Sequence, residues 1–467
     1  MGRSVTRRDL FWGYAASALN VGAGLILLPI VLRHLSPDDV GLWFVFLTLA
    51  SLAQLLEMGF QPTLARNVAY IYAGATSLVK VGLPDAARGS AGLDQALLDA
   101  LVASARRIYQ AVAALAALVL LGPGTFYIRS LLTPHQDHTR DLIGWVVFAS
   151  GFIINFYYGY VNGLLQGRGD VTQANKVIVV TRAVMILLGG AAVAAGYGML
   201  GLGAASALSA ISGRGLAYRY FHASHPVRGG KGQGAARLDL IRTLWYNASR
   251  LGLVQLGAFL IQRGSILVAS SFLGLAVAGQ YGMTVTVLMT LSGVASVICQ
   301  VQVPHMSALQ AKADKAGLAA VFGEIVLLAW TVYVLGFVVL ATMGGDMLGW
   351  IGSRTRLIPQ GPLIALGLVI LLEMNHALAA TYVTTANKVP FLRAALISGV
   401  CTLLLSVAVV RVFGITGLIV AQGGVQLAYN NWKWPRMARR DLGASWSGLI
   451  RAGLRRALRV QGGFPAT

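Results

Sequence analysis

The chain has 467 residues, of which 56% are hydrophobic and only 11% are charged, and its formal net charge is +21. Soluble proteins carry about 25% charged residues, whereas the apolar residues here form runs of roughly 20, enough to cross about 30 Å of hydrocarbon as a helix. This composition excludes an ordinary soluble protein, and it argues against a nucleic-acid-binding protein because the basic residues lie between apolar runs and at the C-terminus.

Twelve apolar runs follow one another along the chain, and each predicts a transmembrane helix. The sequence therefore predicts an all-α integral membrane protein with about 12 transmembrane helices. The runs lie at 11–32, 40–60, 108–128, 142–164, 177–197, 202–221, 244–273, 280–303, 321–344, 361–383, 393–411 and 415–434.

The basic residues are distributed unevenly between the two sides of these runs. If the N-terminus is cytoplasmic, 27 of the 37 Lys and Arg residues fall on the cytoplasmic side, six on the other side and four inside the runs. Cytoplasmic loops of helical membrane proteins carry such an excess of Lys and Arg. Both termini are therefore predicted to be cytoplasmic.

Two pairs of short segments indicate an internal repeat. Residues 35–43 link the first two runs as residues 273–281 link the seventh and eighth, and residues 197–201 correspond in the same way to residues 413–417. Because six crossings return the chain to its starting side, we expect two six-helix lobes related by a parallel pseudo-twofold repeat. The predicted domains are an N-terminal lobe at 1–221, a cytoplasmic linker at 222–243, a C-terminal lobe at 244–434 and a basic cytoplasmic tail at 435–467.

The basic tail has the pattern of an amphipathic helix. Leu442, Trp446, Leu449, Ile450 and Leu454 fall along one helical side, and arginines fall along another. This pattern is typical of a helix that lies on anionic lipid. The alternative is a disordered basic tail that only fixes the topology.

The first hairpin and the start of the second lobe carry a recognisable set of residues. The set comprises Asn20, Pro29, Arg33, Leu35-Ser36-Pro37, Gly41 to Trp43, Glu57 to Phe60, Arg66, Pro304 and Ser307 to Leu309. It resembles the signature of bacterial polysaccharide flippases, the O-antigen type of the multidrug/oligosaccharidyl-lipid/polysaccharide (MOP) exporter superfamily, over residues 10–434. The resemblance implies a transporter of the bacterial inner (plasma) membrane. Such a protein moves undecaprenyl-pyrophosphate-linked oligosaccharide to the periplasmic leaflet by alternating access, for O-antigen, capsule or exopolysaccharide biosynthesis.

Four arginines interrupt the apolar runs and are the first candidates for the substrate site. A charge inside a bilayer costs several kcal/mol unless it faces protein, water or an opposite charge. The guanidinium fork binds phosphate oxygens in pairs and stays charged in a dry site. We therefore expect these arginines to line a cavity at the interface between the two lobes and to bind the pyrophosphate there. The alternative is that their long side chains reach the headgroups, although Arg263 is too deep to do so comfortably. The pyrophosphate candidates are Arg182, Arg214, Arg250 and Arg263, with Arg66 added by the resemblance.

Other polar residues inside the runs suggest further roles. Asn155 and Gln262 are candidates for contacts with sugar hydroxyls, or alternatively for hydrogen bonds between helices. Glu373 and His376 share one helix face, so they are candidates for carrying a coupling proton or cation. The alternatives are an internal ion pair or a counterion to a cavity arginine. Pro29 is a candidate hinge in the first helix, or a static kink.

Two other functions compete with that of a flippase. A multidrug or organic-cation exporter of the same fold would need a cavity lined by carboxylates, whereas the charges inside these runs are mostly arginines. A membrane glycosyltransferase or polysaccharide polymerase would need a large catalytic loop, and the 61–107 connection lacks an Asp-x-Asp pair. No Walker motif occurs. His135, Asp137 and His138 have a spacing that could hold a metal ion, but three such residues in a loop more often hold none. Because transport needs no covalent chemistry, we predict a non-enzymatic transporter with no cofactor and no metal site, whose partners are membrane lipid and its substrate.

Overall fold

The computed structural model describes residues 7–57, 59–79, 93–132, 134, 136–224, 237–386 and 390–461. Within these ranges the chain is almost entirely helical and forms no β-strand. The all-α fold predicted from the sequence is therefore confirmed.

The Cα packing divides the chain into two compact units, Met1–Leu256 and Gly257–Thr467, here called the N-terminal unit and the C-terminal unit. The division between the units falls inside a helix, downstream of the predicted linker at 222–243. Residues 225–236 of that linker lie outside the described part of the chain. The predicted domain limits thus remain predictions. The helices up to this linker are α1 Arg7–His34, α2 Pro37–Gln54, α3 Phe60–Tyr72, α4 Gln95–Val119, α5 Thr125–Leu131, α6 His138–Tyr157, α7 Tyr160–Arg168, α8 Val171–Ala194 and α9 Gly198–Ser224. After it come α10 Leu238–Gln262, α11 Gly264–Leu273, α12 Leu275–Ala295, α13 Val297–Ala311, α14 Lys315–Ile351, α15 Gln360–Thr385, α16 Leu392–Ala428, α17 Asn430–Leu442 and α18 Trp446–Gln461.

Eight helical segments of the described chain are long and apolar enough to cross a membrane, or ten if each of two bent pairs counts as one span. The chain is therefore a multi-pass membrane protein. The count is lower than the predicted twelve for two reasons. Over half of the residues of α9 are Gly, Ala or Ser, which lowers its hydropathy. In addition, Leu392–Leu442 counts once although its backbone breaks at Gly414, where φ is 55°. The number twelve remains a prediction.

The segments that suggested an internal repeat all lie at breaks between helices. Ser36 caps the start of α2, where its side chain accepts a hydrogen bond from the backbone N–H of Asp39 over 3.1 Å. Gly274, at φ 88°, separates α11 from α12. Gly196 at φ 82° separates α8 from α9, as Gly414 divides α16. These parallels are local, and the repeat of six spans remains a prediction.

The N-terminal unit packs through small residues and aromatic rings. A side chain added at Gly144 would overlap the backbone of Met199, and one added at Gly151 would overlap Ala207, so α6 and α9 are in close contact. Such small-residue contacts let membrane helices approach each other closely. Rings from α2 and α6 also pack together, with centroids 4.9 Å apart for Phe46 and Trp145. This packing fixes the helix that carries Asn155.

Helix α1 bends by 40° between Phe11–Asn20 and Gly22–His34. The predicted hinge residue, Pro29, lies two turns farther along, inside the second segment. A glycine weakens helix propensity by about 1 kcal/mol, so Gly22 offers a local reason for the bend. The hinge role of Pro29 remains a prediction.

In the C-terminal unit, the basic tail forms α17 and α18, and α18 packs on α14. A side chain added at Gly323 or at Gly453 would overlap the backbone of the other helix. Arg456 donates to the carboxylate of Glu324 over 2.8 Å, and Leu449 is buried. One side of the predicted lipid-surface helix therefore contacts protein, while Ile450 remains exposed on another side.

Candidate functional site

The clearest polar site of the N-terminal unit is built around Arg214, midway along α9. Its Nε donates a hydrogen bond to Oδ1 of Asn155 on α6 over 2.8 Å. Two residues that the sequence analysis selected separately are thus in direct contact. The close packing of α6 on α9 brings them together.

A carboxylate lies on the other side of this site. Glu57, which ends the 3₁₀ turn after α2, accepts hydrogen bonds from Gln54 and from the hydroxyl of Tyr109, the latter over 2.9 Å. Its charge interacts electrostatically with Arg214. The site therefore joins α2, α4, α6 and α9 in one polar network.

A cavity of about 440 Å³ opens beside this network. It is lined by Arg106 from α4, Tyr158 following α6, and Arg214 and Tyr218 from α9, together with the apolar Ile154 and Ile211 and the backbone of Gly215. Two guanidinium groups thus face the same space from two different helices. Of the predicted pyrophosphate ligands only Arg214 lines this cavity, and the cavity that the arginines are predicted to share remains a prediction.

Arg214 has hydrogen-bonding capacity that the protein does not use. Its Nη1 is buried and has no hydrogen-bond partner among the described residues, and the same holds for Oδ1 of Asn162. A buried unpaired donor costs about 1–3 kcal/mol, more when charged. An anion in the cavity would satisfy the arginine. Two guanidiniums suit phosphate oxygens, and the tyrosine hydroxyls suit sugar hydroxyls.

Arg182 has a different partner. Its Nη2 donates to Oδ1 of Asn20 on α1 over 2.8 Å, at an exposed position. Arg182 on α8 therefore contacts α1, whereas Arg214 on α9 contacts α6. The structure does not bring these two predicted phosphate ligands into one contact.

The remaining arginine candidates lie at separate places. Arg263 interrupts the helical backbone between α10 and α11, directly after Gln262, which is exposed. Within the described ranges no hydrogen bond or ion pair engages the Arg263 guanidinium. Arg66 is exposed on α3, and the side chain of Arg250 lies outside the described part of the structure.

Glu373 and His376 share a face of α15 but contact different helices. Glu373 is buried and accepts a hydrogen bond from Nε2 of Gln422 on α16 over 2.8 Å. Its second oxygen, Oε2, is buried and has no partner in the described chain. Nδ1 of His376 donates to Oδ1 of Asn431 on α17 over 2.7 Å. They do not form the internal ion pair that was the alternative interpretation.

Sequence reasoning missed two members of the Arg214 site. Arg106 is one of the 27 basic residues that the charge count places on the cytoplasmic side. Glu57 lies close to a predicted cytoplasmic helix end, where a solvated or capping carboxylate is expected. In the described structure no three His, Cys, Asp or Glu residues are grouped closely enough to hold a metal ion. His135 lies outside that part.

Comparison with known proteins places this geometry on a transporter fold. No protein-family model and no curated protein matches the chain. A multidrug resistance MATE family transporter of the MOP superfamily, in its inward-facing conformation, matches with a TM-score of 0.69 at 13% identity, covering 93% of this chain and 99% of that one. The chain shares the fold of the MATE transporters.

Two further MOP superfamily structures show the same similarity. An outward-facing MATE transporter of the multidrug resistance family matches with a TM-score of 0.56 at 15% identity, covering 95% of this chain and 94% of that one. A MOP superfamily transporter from Pyrococcus furiosus matches with a TM-score of 0.51 at 14% identity, covering 94% of this chain and 95% of that one. That structure is described as having a binding pocket of reverse polarity, which suggests a different function for that protein. At identities this low, these likenesses show that the chain has the MATE fold, and they show the fold alone.

Proposed function

We propose that this chain exports an anionic, lipid-linked oligosaccharide of the undecaprenyl-pyrophosphate type. The substrate would move from the cytoplasmic to the periplasmic leaflet of a bacterial inner membrane by alternating access. The observation that carries this proposal is the cavity lined by Arg106 and Arg214 with two tyrosines. The buried Nη1 of Arg214, which has no hydrogen-bond partner within the described ranges, supports it.

The chemistry of the site fits such a substrate. The pyrophosphate would occupy the guanidiniums, because charge-assisted hydrogen bonds to phosphate are about twice as strong as neutral ones. The sugars would contact tyrosine hydroxyls and the amide N–H groups of Asn155, while the prenyl chain stays in lipid. A membrane potential that is negative inside favours outward movement of an anion by about 2.3 kcal/mol per charge per 100 mV. No covalent bond changes, so we propose no enzymatic activity and no cofactor.

We also propose roles in the transport cycle for the other candidate residues. Arg182, Arg250, Arg263 and Arg66 would meet the phosphates at other stages of transport, and Gln262 would contact sugar. Glu373 and His376 would carry a coupling proton or cation. Cytoplasmic termini and the two six-helix lobes belong to the same proposal.

A multidrug or organic-cation exporter is the second candidate function. Two of the matching structures are named for multidrug resistance, so the neighbours favour this function more directly than they favour a flippase. The buried carboxylate of Glu373, with Oε2 unpaired in the described chain, is a feature that suits a cation. A membrane glycosyltransferase has no comparable support.

Transport by the purified protein in proteoliposomes separates the two candidates. One assay follows a fluorescent undecaprenyl-pyrophosphate oligosaccharide, and the other follows ethidium as an organic cation. The R106Q/R214Q variant should lower the rate or affinity for the lipid-linked substrate at least tenfold, since each charged hydrogen bond contributes about 1.5–3 kcal/mol. Export of ethidium by the wild type, with no movement of the lipid-linked substrate, would show the multidrug function instead.

A matched control is available on the same two helices. Arg107 on α4 and Arg219 on α9 are exposed, so R107Q/R219Q removes the same charge. This control should retain transport. Equal loss of transport in the two double variants would refute the assigned role of the cavity, and thermal melting of each variant would identify misfolded protein.

A further inference from the structure

A second polar cavity lies in the C-terminal unit, in the part that the sequence marks as a basic tail. It has a volume of about 590 Å³ and is formed by α14, α15, α17 and α18. Its aromatic, basic and amide lining side chains are those of Trp330, Asn431, Trp432, Arg436, Arg439 and Trp446. No function described above uses this cavity.

The face of α17 that borders the cavity combines indole and guanidinium groups. Trp432, Pro435, Arg436 and Arg439 follow one another at helical positions i, i+3, i+4 and i+7, so they share one side. Trp330 from α14 and Trp446 from α18 complete the wall, and each is 38% exposed. Tryptophan is enriched at the level of lipid headgroups because its ring is apolar and its N–H is polar.

The charge of this region is strongly positive and is only partly neutralised by nearby carboxylates. Residues 430–461 contain eight Lys and Arg residues and one acidic residue, Asp441. Asp441 pairs with Lys315 over 2.8 Å, and Glu324 on α14 pairs with Arg456 over 2.8 Å. These carboxylates are therefore engaged elsewhere, and the arginines of the cavity remain available to an anion.

A buried amide adds a second, independent indication of a ligand. Asn431 lines the cavity and is only 8% exposed. Its Oδ1 accepts the hydrogen bond from His376, while its Nδ2 has no partner among the residues that the structure describes. An unsatisfied buried amide is destabilising, and an acceptor in the cavity would remove that cost.

An apolar ridge leads away from the cavity along α14. Trp330, Val334 and Val338 lie at i, i+4 and i+8, and they are 38%, 41% and 50% exposed. Because Lys315 at the start of α14 pairs with Asp441 near the end of α17, the two helices run in opposite directions past the cavity. The arginines thus lie toward the ion pair, and the ridge extends away from it.

We propose that this cavity binds the phosphate headgroup of a lipid. The phosphate would lie on Arg436 and Arg439, the three indoles would lie at headgroup level, and the lipid chain would follow the ridge of α14. The predicted cytoplasmic orientation of the tail places the cavity at the leaflet whose anionic lipids attract basic segments. This proposal does not depend on the proposed substrate of the N-terminal unit.

Lipid titration of the purified full chain, followed by native mass spectrometry, tests the proposal. The probes are phosphatidylglycerol, undecaprenyl phosphate and inorganic phosphate. We expect one tightly held lipid per chain, and an affinity at least tenfold lower in R436Q/R439Q because charged hydrogen bonds to phosphate are lost. The R440Q/R455Q variant, which removes the same charge at exposed positions of α17 and α18, should bind lipid as the wild type does.

The outcomes separate the sources of the phosphate. Tighter binding of phosphatidylglycerol would identify a membrane phospholipid, and tighter binding of undecaprenyl phosphate would identify a prenyl carrier; either supports the proposal. The W330A variant should weaken lipid binding but not inorganic phosphate binding. The proposal is wrong if inorganic phosphate binds as tightly as lipid, if R436Q/R439Q binds lipid normally, or if the R440Q/R455Q control loses lipid equally. Melting temperatures measured without lipid show that each variant is folded.

Discussion

Arg214 donates from Nε to the side-chain oxygen of Asn155 over 2.8 Å, and this contact ties α9 to α6. It joins two residues that the sequence suggested for different tasks, one for phosphate and one for sugar. Because the guanidinium is a rigid planar fork, fixing Nε also fixes the direction of both terminal nitrogens. Asn155 therefore acts first as a positioning residue for Arg214.

The N155D substitution tests this relationship. It replaces a neutral acceptor by a carboxylate of nearly the same shape, which would neutralise Arg214 without removing the hydrogen bond. We expect the affinity for a pyrophosphate-linked prenyl substrate to fall at least tenfold, which corresponds to the loss of about one charged hydrogen bond between Arg214 and the phosphate. The melting temperature should be unchanged or rise. The measurement is ligand binding in detergent, beside a thermal melt.

Q110E is the matched control for N155D. Gln110 is an exposed amide on α4 that donates to Tyr157 over 3.3 Å, so its change adds the same charge nearby. This control should keep most of the binding affinity. If both variants lose affinity equally, the overall charge of the N-terminal unit determines substrate affinity, and the specific role of Arg214 is refuted.

Glu373 offers a test of energetic coupling. Its carboxylate accepts from Gln422 over 2.8 Å and leaves Oε2 unpaired within the described chain, an arrangement suited to a proton or small cation. The E373Q variant mimics the protonated group, so we expect substrate binding to persist while an imposed proton or sodium gradient no longer accelerates transport. Proteoliposome assays with and without a gradient measure this effect, with D346N at an exposed position of α14 as control. Undiminished gradient dependence in E373Q would rule out its coupling role.

The sequence predicted the apolar helices better than the half-polar ones. The ninth run, predicted at 321–344, lies wholly inside α14. This prediction was correct because a long uninterrupted apolar stretch is not readily interpreted as anything but a membrane helix. Helix α3 was instead assigned to a long connection. Its apolar positions Phe60, Leu64, Val68 and Ile71 all lie on one side and are buried, but the polar residues between them lower the mean hydropathy. Burial against α7 stabilises that helix, and a hydropathy window does not measure such packing.

The arginine site shows a different limit of sequence reasoning. Arg214 could be identified because a charge inside an apolar run is costly. Arg106 could not be distinguished from Arg107, since both precede an apolar run and differ only by about 100° around α4. Which of them faces the cavity depends on how α4 packs against α6, and that is a property of the tertiary structure.

Arg263 is predicted to be essential for export but not for insertion. It lies at the break between α10 and α11, and the described structure shows no side-chain partner that its loss would leave unpaired. We therefore expect R263A to reach normal abundance in the membrane while glycan export is lost, as measured by surface glycan staining and immunoblotting. R411A is the control and should keep normal export. Arg411 stacks over Phe272 at 5.1 Å, and losing this contact of about 0.5–1 kcal/mol should have only a small effect on stability. Normal export by R263A would remove Arg263 from the substrate path.

The contact between α14 and α18 should depend on two glycines. Any side chain at Gly323 would overlap the backbone of Leu449, whereas Gly345 on the same helix faces open space. We expect G323L to displace α18, because forcing extra atoms into a packed contact costs about 1–3 kcal/mol, and G345L to leave it in place. Trypsin cleavage at Arg451 and Arg455 reports the displacement, since both arginines lie on α18 and would be cut faster once it is released. If G323L resists trypsin as well as G345L does, α18 is not held through this glycine contact, and the ion pair between Arg456 and Glu324 must be sufficient to hold it.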